Sequence, residues 1–480
     1  MRRRGALWSV AAAAAMAASA QAGVMGRELE RAMSLRGTHA DTAVIVRMAD
    51  PLDQQPLAAG DRRARDTRLP VALRARAARN RAAIEPFLAA HDAARVRDLW
   101  IVNGVAVTLP AVAVKELAAQ PSVERIDLDS FVQGGRLPRR SAPRAASSSP
   151  SAAPDAIVDT TAEQLHAAPG WNIAAVHAPE LWRLGHTGQG VVVASMDTGV
   201  DLAHPALRHR WRGGGNSWFD PHGEEAAPYD ALGHGTQAMG IVVGGSALGV
   251  APDARWIAVK LYNATGGARM SDIHLAFQWL MDPDGDPATV DAPDVVNASW
   301  ALGGRGPGAC VLEFSDDVRA LRNAGIAVVF AAGNDGPAPR TSSSPGNNPG
   351  VLSAGPVDRD MAIARQASRG PSSCDGAVFP RLVAPGVNVR TADLSHGGVP
   401  SYATVSGSSL AAPHVAGVLA LLAGAFPSAS VADLEDALVR GANDLGDAGA
   451  DNTYGYGFTD ALASYKLLLQ SIGATGSSRQ

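Results

Sequence analysis

The sequence predicts a doubly wound α/β domain, a parallel sheet with helices on both faces, preceded by a small α+β unit. Three observations predict it. From Trp171 onward, short β-branched apolar runs alternate with helix-length stretches, as buried parallel strands and their covering helices do. Polar residues able to do chemistry follow those runs, where an open parallel sheet exposes the carboxyl ends of its strands. Residues 40–133 have another rhythm: strand, helix, two strands, helix, strand, the split-βαβ order of ferredoxin-like units.

Residues 1–22 read as a signal peptide. Arg2-Arg3-Arg4 form a basic start, Ala6 to Ala18 an apolar core and Ala20-Gln21-Ala22 an A-x-A cleavage site. Later apolar runs fall short of the roughly 18 residues that a membrane span needs, and the longest, Val415–Phe426, reads as a buried helix. The expectation is a protein secreted to the extracellular space or periplasm, with no membrane partner.

In the 40–133 unit, Thr42–Met48 is a strand and the Arg/Ala-rich stretch near Arg74–His91 a helix. Leu99–Leu109 reads as two strands around Asn103-Gly104, a hairpin signal. Val112–Ala119 is a helix and Val123–Leu128 the last strand. Residues 134–169 form a linker whose first part, Gly134–Pro154, is rich in Ser, Ala, Pro and Arg without apolar periodicity. Its Arg136, Arg139, Arg140 and Arg144 suit a solvated basic linker or a processing site. The main domain spans 170–470. Its strands are Val191–Met196, Trp256–Leu261, Asp294–Val296 with its flank, Ile326–Ala332 and Leu382–Ala384. Its helices include Ser271–Leu280, Ser315–Ala324 and Ala411–Ala425.

Composition excludes several classes. Of 480 residues, 46% are apolar and 18% charged, which rules out wholesale disorder. The net charge of −4 divides unevenly, +6 over residues 1–169 and −10 over residues 170–480. An acidic main domain argues against nucleic acid as a partner. The two cysteines, Cys310 and Cys374, lack metal-ligand spacing; in an oxidising compartment one disulfide is expected, two buried thiols being the other reading.

The chemistry sits at the sheet mouth. Asp197 follows VVVASM, Asn334 follows IAVVFAAG, and Asn297-Ala298-Ser299-Trp300 follows DVV. His234, in Gly233-His234-Gly235-Thr236, and Ser409, in Ser406-Gly407-Ser408-Ser409, each open a helix. An acid, an imidazole and a hydroxyl at one sheet edge point to nucleophilic catalysis. Nucleotide binding lacks support, since no G-x-G-x-x-G or P-loop spacing occurs.

Asp197-Thr198-Gly199, Gly233-His234-Gly235-Thr236 and Gly407-Ser408-Ser409-Leu410-Ala411-Ala412-Pro413-His414 resemble, in order, the three signature blocks of subtilisin-like serine peptidases, the subtilases. Ala331-Ala332-Gly333-Asn334 resembles that family's oxyanion block. The likeness runs from about Trp171 to Ala463 and is closest to the bacillopeptidase F-like branch; residues 40–133 resemble the family's propeptide inhibitor domain. The resemblance implies a serine endopeptidase made as a self-processing zymogen. Asp197, His234 and Ser409 would be the triad, and Asn334 the oxyanion donor. Ser299-Trp300-Ala301 and Ala331-Ala332-Gly333 would be the two walls of the primary specificity pocket. Those walls carry no charge, so small or apolar residues are expected before the scissile bond. The partners would be protein or peptide substrates and the chain's own propeptide, acting on a monomer.

Neighbouring residues read as structural: Ser408, where the family usually has threonine, His204, His209 and His414, and Asp201 as a turn acid. Three positions depart from the family pattern. Gln237 replaces a common histidine, Leu410 a methionine, and Ala301 the glycine of Ser-Trp-Gly. The chemistry needs no cofactor. Structural calcium is possible, and Asp282, Asp284 and Asp286, alternating in an acidic loop, are its candidate ligands, a solvated turn being the plainer reading. The competing function is a degenerate or self-cleaving-only fold that acts as a binding protein; retention of all four key residues argues against it.

Overall fold

The computed structural model describes residues 23–134 and 168–477, apart from residues 38, 51, 56, 58–61, 246, 304, 305 and 397. The expected signal peptide (1–22) and most of the expected linker (135–167) lie outside the described residues.

The N-terminal unit comprises β1 (Val24–Met25), α1 (Arg27–Arg36), β2 (Asp41–Met48), α2 (Arg62–Ala90), β3 (Ala94–Leu99), β4 (Gly104–Pro110), α3 (Ala111–Ala118) and β5 (Val123–Leu128), with strand order β1-β5-β2-β4-β3. From β2 to β5 the order is βαββαβ. Strand alternation explains how β2 serves two masters. Val44, Val46 and Met48 enter the unit's own core, while Ile45 faces the other way into a core shared with the C-terminal body. Arg47 lies on that second face.

Two sequence expectations need correction. The helix begins at Arg62, well before Arg74. The run Trp100-Ile101-Val102 is a single 3₁₀ turn, and the first hairpin strand is the more polar Ala94–Leu99. Burial decides this, since all three residues of the run pack into the shared core with Leu69 and Leu73. The Asn-Gly signal still marks the reversal, with Asn103 in the left-handed region at φ 54°.

β6 (Phe131–Gln133) leaves the N-terminal sheet. The C-terminal body then runs α4 (Trp171–Ala175), α5 (Ala178–Arg183), β7 (Val192–Asp197), α6 (Pro205–Arg208), β8 (Trp218–Phe219), α7 (His234–Val243), β9 (Arg255–Lys260), β10 (Gly267–Arg269), α8 (Met270–Met281), β11 (Val295–Ala298), α9 (Ser315–Ala324), β12 (Ala327–Ala331), β13 (Leu352–Val357), β14 (Leu382–Pro385), β15 (Val389–His396), β16 (Val399–Val405), α10 (Ser408–Ala425), α11 (Val431–Arg440) and α12 (Ala461–Ser477). Seven strands pair in parallel in the order β14-β13-β12-β11-β7-β9-β8. The strand order reverses between β7 and β11, the switch point where such sheets open a crevice.

One face of the sheet packs on α10, which is buried from Ser408 to Leu422. That helix is long and apolar enough to cross a membrane, but it is the core helix here. The other face is covered by α8 and α9 and, through Leu69, Leu73 and Trp100–Val102, by the N-terminal unit. Each fully buried Leu, Val or Phe in these layers contributes roughly 1.5–3 kcal/mol. Local signals agree with the elements: α9 carries Asp316 and Asp317 in its first turn and Arg322 in its last, and ends on left-handed Gly325.

Candidate active site

Asp197 ends β7 and His234 opens α7. Their backbones meet through two glycines: a Cβ on Gly235 would collide with the Gly199 carbonyl, and one on Gly199 with that of Tyr229. That closeness puts His234 Nδ1 2.7 Å from Asp197 Oδ1, which also accepts from the Thr198 N–H at 2.7 Å. The Thr198 hydroxyl accepts from the Gly235 N–H at 2.9 Å. Both His234 and Asp197 are buried. Burial alone would lower the imidazole's basicity, but the charge and hydrogen bond of Asp197, with a smaller push from Asp230, leave the His234 pKa raised.

Asp230 was not singled out in the sequence, yet it shapes the histidine's turn. Its Oδ1 accepts from the N–H groups of Leu232 and Gly233, and its Oδ2 from the N–H and hydroxyl of Thr236, all at 2.7–2.9 Å. These are donors that a helix start leaves unpaired. Burial raises the Asp230 pKa against those bonds. An aspartate four residues before a histidine in a polar loop carries no distinctive spacing, so only the fold brings it out.

Ser409 is the second residue of α10. A Cβ on Gly407 would lie 3.2 Å from Ser409 Oγ and 3.7 Å from Asn334 Nδ2, so both atoms border the space that this glycine leaves open. The Asn334 amide is oriented by the Ser408 N–H, which donates to Asn334 Oδ1 at 2.9 Å and leaves the NH₂ end for another acceptor. The Ser408 hydroxyl accepts from the Gly333 N–H at 3.1 Å, so it braces the turn.

The two expected pocket walls extend adjacent strands. Ser299, Trp300 and Ala301 follow β11, and Ala331–Gly333 end and follow β12. Ser299 is buried and its hydroxyl donates to the Ser409 carbonyl at 2.9 Å. The Trp300 ring is turned into the core against Phe314 and Phe330 at 6.2 and 5.5 Å, so only its backbone can form a wall. Ala301 is half-buried; Ala331, Ala332 and Gly333 are buried. Along this groove β6 pairs antiparallel with β10, the Gly134 N–H donates to the Gly266 carbonyl at 2.9 Å, and Gly134 bridges to Leu302.

The neighbouring groups have other work. His414 donates from Nδ1 to the Leu410 carbonyl and accepts from Asn172 at Nε2; burial pushes its pKa down to about 4, and it stays neutral. His204 accepts from the Ala206 N–H and bonds the Ser401 carbonyl. His209 accepts from Arg208. Asp201 holds Ser395 through its N–H and hydroxyl, both at 2.6 Å. Gln237 donates to Asp393 at 3.2 Å, while its buried Oε1 has no hydrogen-bond partner among the described residues. Leu410 is buried beside Ile241 and Val389.

The calcium candidates need correction. Asp282 and Asp284 come together with Asp291, their carboxylate oxygens within 4.8 Å of one another, and Asp286 does not join them. Asp286 instead turns its carboxylate back onto the Ala288 N–H. Asp282 also meets the Arg74 guanidinium through Oδ2 at 2.6 Å, so one of its oxygens is engaged while the N-terminal unit is docked. Cys310 and Cys374 form a disulfide with Cα atoms 5.0 Å apart.

The subtilase family model matches residues 188–457. The chain is 34% identical to bacillopeptidase F of Bacillus subtilis (strain 168) over 80% of its own length, and that match spans 27% of the relative. It is 32% identical to subtilisin E of the same organism, covering 74% of this chain and 78% of the relative. Serine protease AprX, also of B. subtilis, is 33% identical over 60% of this chain and 69% of its own.

Proposed function

The chain belongs to the subtilase family of serine peptidases, and from that premise we propose that it is a secreted endopeptidase, made as a zymogen that processes itself. What supports this reading is the buried Asp197–His234 hydrogen bond on β7 and α7, with Ser409 and Asn334 bordering one open space at the start of α10, the helix that packs against α7.

In the proposed reaction, Ser409 Oγ attacks the scissile carbonyl carbon and its proton passes to His234 Nε2. Asp197 holds the Nδ1–H and stabilises the imidazolium. The negative charge that develops on the carbonyl oxygen is met by Asn334 Nδ2 and the Ser409 N–H, and by the positive end of α10. Collapse breaks the C–N bond, and His234 returns the proton to the departing amine. Water then attacks the acyl-enzyme by the same route, giving the acid and free Ser409. No cofactor supplies any of these steps. Because His234 must start unprotonated and its pKa is raised, activity falls off on the acid side at a higher pH than an ordinary histidine would set.

The N-terminal unit is the inhibitor in this reading. It docks through Arg47 on Glu313 at 2.9 Å, Arg74 on Asp282 at 2.6 Å and Arg97 on Asp272 at 2.9 Å. Asp129 accepts from the Ser271 N–H and hydroxyl at 2.9 Å at the start of α8. Its last strand, β6, lies along the groove as a substrate strand would. Export rests on the residue pattern of 1–22 and suits a disulfide.

The test is expression of wild type beside Ser409→Ala. Wild type should shorten by the N-terminal unit and digest casein, and the variant should do neither. Two full-length, inert proteins would move the reading to a binding protein.

A further inference from the structure

Side chains hold the first turn of α10. The Ser408 N–H donates to Asn334 Oδ1 at 2.9 Å, and the Ser409 carbonyl accepts from the Ser299 hydroxyl at 2.9 Å. The Leu410 carbonyl accepts from His414 Nδ1 at 2.7 Å. Three consecutive residues are thus pinned, and the middle one is Ser409. Asn334 and Ser299 stand just beyond β12 and β11. His414 stands on α10 itself, so whatever fixes its ring also fixes the turn.

His414 is fully buried. A carbonyl can only accept, so the ring proton sits on Nδ1 and Nε2 is left as an acceptor. The Asn172 amide donates to that nitrogen at 2.9 Å and, among the described residues, is its one partner. Asn172 is buried too, and it lies on α4, at the start of the C-terminal body.

The segment around Asn172 is shaped to present this amide. A Cβ on Gly170 would press on Asn172 Oδ1 at 2.6 Å, so the glycine lets the chain close over the oxygen end while the NH₂ end faces His414. The Gly170 carbonyl accepts from the N–H groups of Ile173 and Ala174, both at 3.1 Å, and Ile173 is anchored in the core that α10 shares. Trp171 packs against Leu410 of α10, Ile241 of α7 and Val389 of β15. One short segment therefore reaches both the helix of the nucleophile and the helix of the base.

We propose that Asn172 is a positioning residue for the peptidase reaction: acting through His414 on the Leu410 carbonyl, it sets the backbone of Ser409, whose N–H is a donor to the oxyanion. This rests on the endopeptidase reading above. Processing within residues 134–169 keeps Asn172 in the mature enzyme. Its effect falls on kcat, because a displaced Ser409 N–H loses contact with charge that exists only in the transition state.

The test compares processed wild type, Asn172→Ala, His414→Phe and the double variant on one peptide p-nitroanilide, with active sites counted by a fluorophosphonate. Asn172→Ala should lower kcat about tenfold and change KM less than about twofold. In the His414→Phe background the same substitution should add almost nothing, because the link is already cut. Asn172→Ser, whose hydroxyl is too short to reach Nε2 but suits a helix start, should behave as Asn172→Ala does. Losses that add in the double variant, or that fall on KM, would overturn the proposal. So would an unchanged kcat, failure of both Asn172 variants to mature, or an active mature enzyme that begins beyond residue 172. A wild-type chain that neither shortens nor cleaves any peptide would instead sink the endopeptidase reading beneath it.

Discussion

The Ser299 hydroxyl donates to the backbone carbonyl of Ser409, a bond that the helix itself leaves open. In α10 the carbonyl of Ser409 would accept from the N–H of residue 413, but Pro413 has none. The proline six residues into the helix therefore frees a carbonyl, and the Ser299 hydroxyl takes it. Asn297 completes the chain by donating to Ser299 Oγ at 2.9 Å. Ser299→Ala should cost about 1–2 kcal/mol in activation free energy through a misplaced Ser409 N–H, seen as a 5- to 30-fold fall in kcat with a smaller change in KM. Steady-state kinetics would show a KM effect alone if Ser299 served only as a wall.

Asn334→Ala should lower kcat by about 10²–10³-fold with little change in KM, because the amide meets charge that exists only in the transition state. A loss confined to KM would assign Asn334 to ground-state binding.

Asp230→Asn should move the acid limb of the kcat/KM profile to lower pH, since removing its charge takes away part of what raises the His234 pKa. A pH–rate titration of the two enzymes reads the shift. A fall in activity with the limb in place would leave Asp230 only its role in the turn.

Docking of the N-terminal unit buries a charged cluster with a calculable pH response. His274 bonds Asp317 at 2.9 Å and Glu313 at 3.0 Å, and Glu313 also meets Arg47. Burial would lower the His274 pKa, but the two carboxylates raise it to about 9, while Glu313, despite burial, is held near 2 by His274 and Arg47. The histidine's stabilisation is complete below its unfolded value of about 6.5 and is lost as pH rises through 9. The Glu313 contribution is present above about 4.5 and is lost as pH falls through 2. The uncleavable Ser409→Ala zymogen should thus lose stability between pH 7 and 10, and His274→Gln should flatten that slope. Urea melts across pH would contradict this if both proteins gave the same curve.

The disulfide closes a loop with a sequence separation of 64, and Cys310→Ser with Cys374→Ser should cost roughly 2–4 kcal/mol. Thermal melts with and without reductant measure it.

Much of this site was legible because it rests on short-range patterns. Asp197, His234, Ser409 and Asn334 each lie within two residues of a glycine that permits close backbone approach, and β-branched runs mark β7 before Asp197 and β12 before Asn334. The strand LSAGPV at Leu352–Val357 was missed because Gly and Pro interrupt its apolar run, although both of its faces are buried. Trp100–Val102 misled for the opposite reason, an apolar run whose burial comes from a second unit. Asp230 acts through partners that only the tertiary fold supplies. Asp291 replaces Asp286 in the acidic group because an Asx turn points Asp286 inward to its own loop.

The central claim is that Ser409, activated by His234, is the nucleophile. Treatment of the processed protein with a fluorophosphonate, followed by peptide mass spectrometry, tests it most directly. The account predicts one adduct, on Ser409. An adduct on another residue, or none on a folded and processed chain, would contradict it.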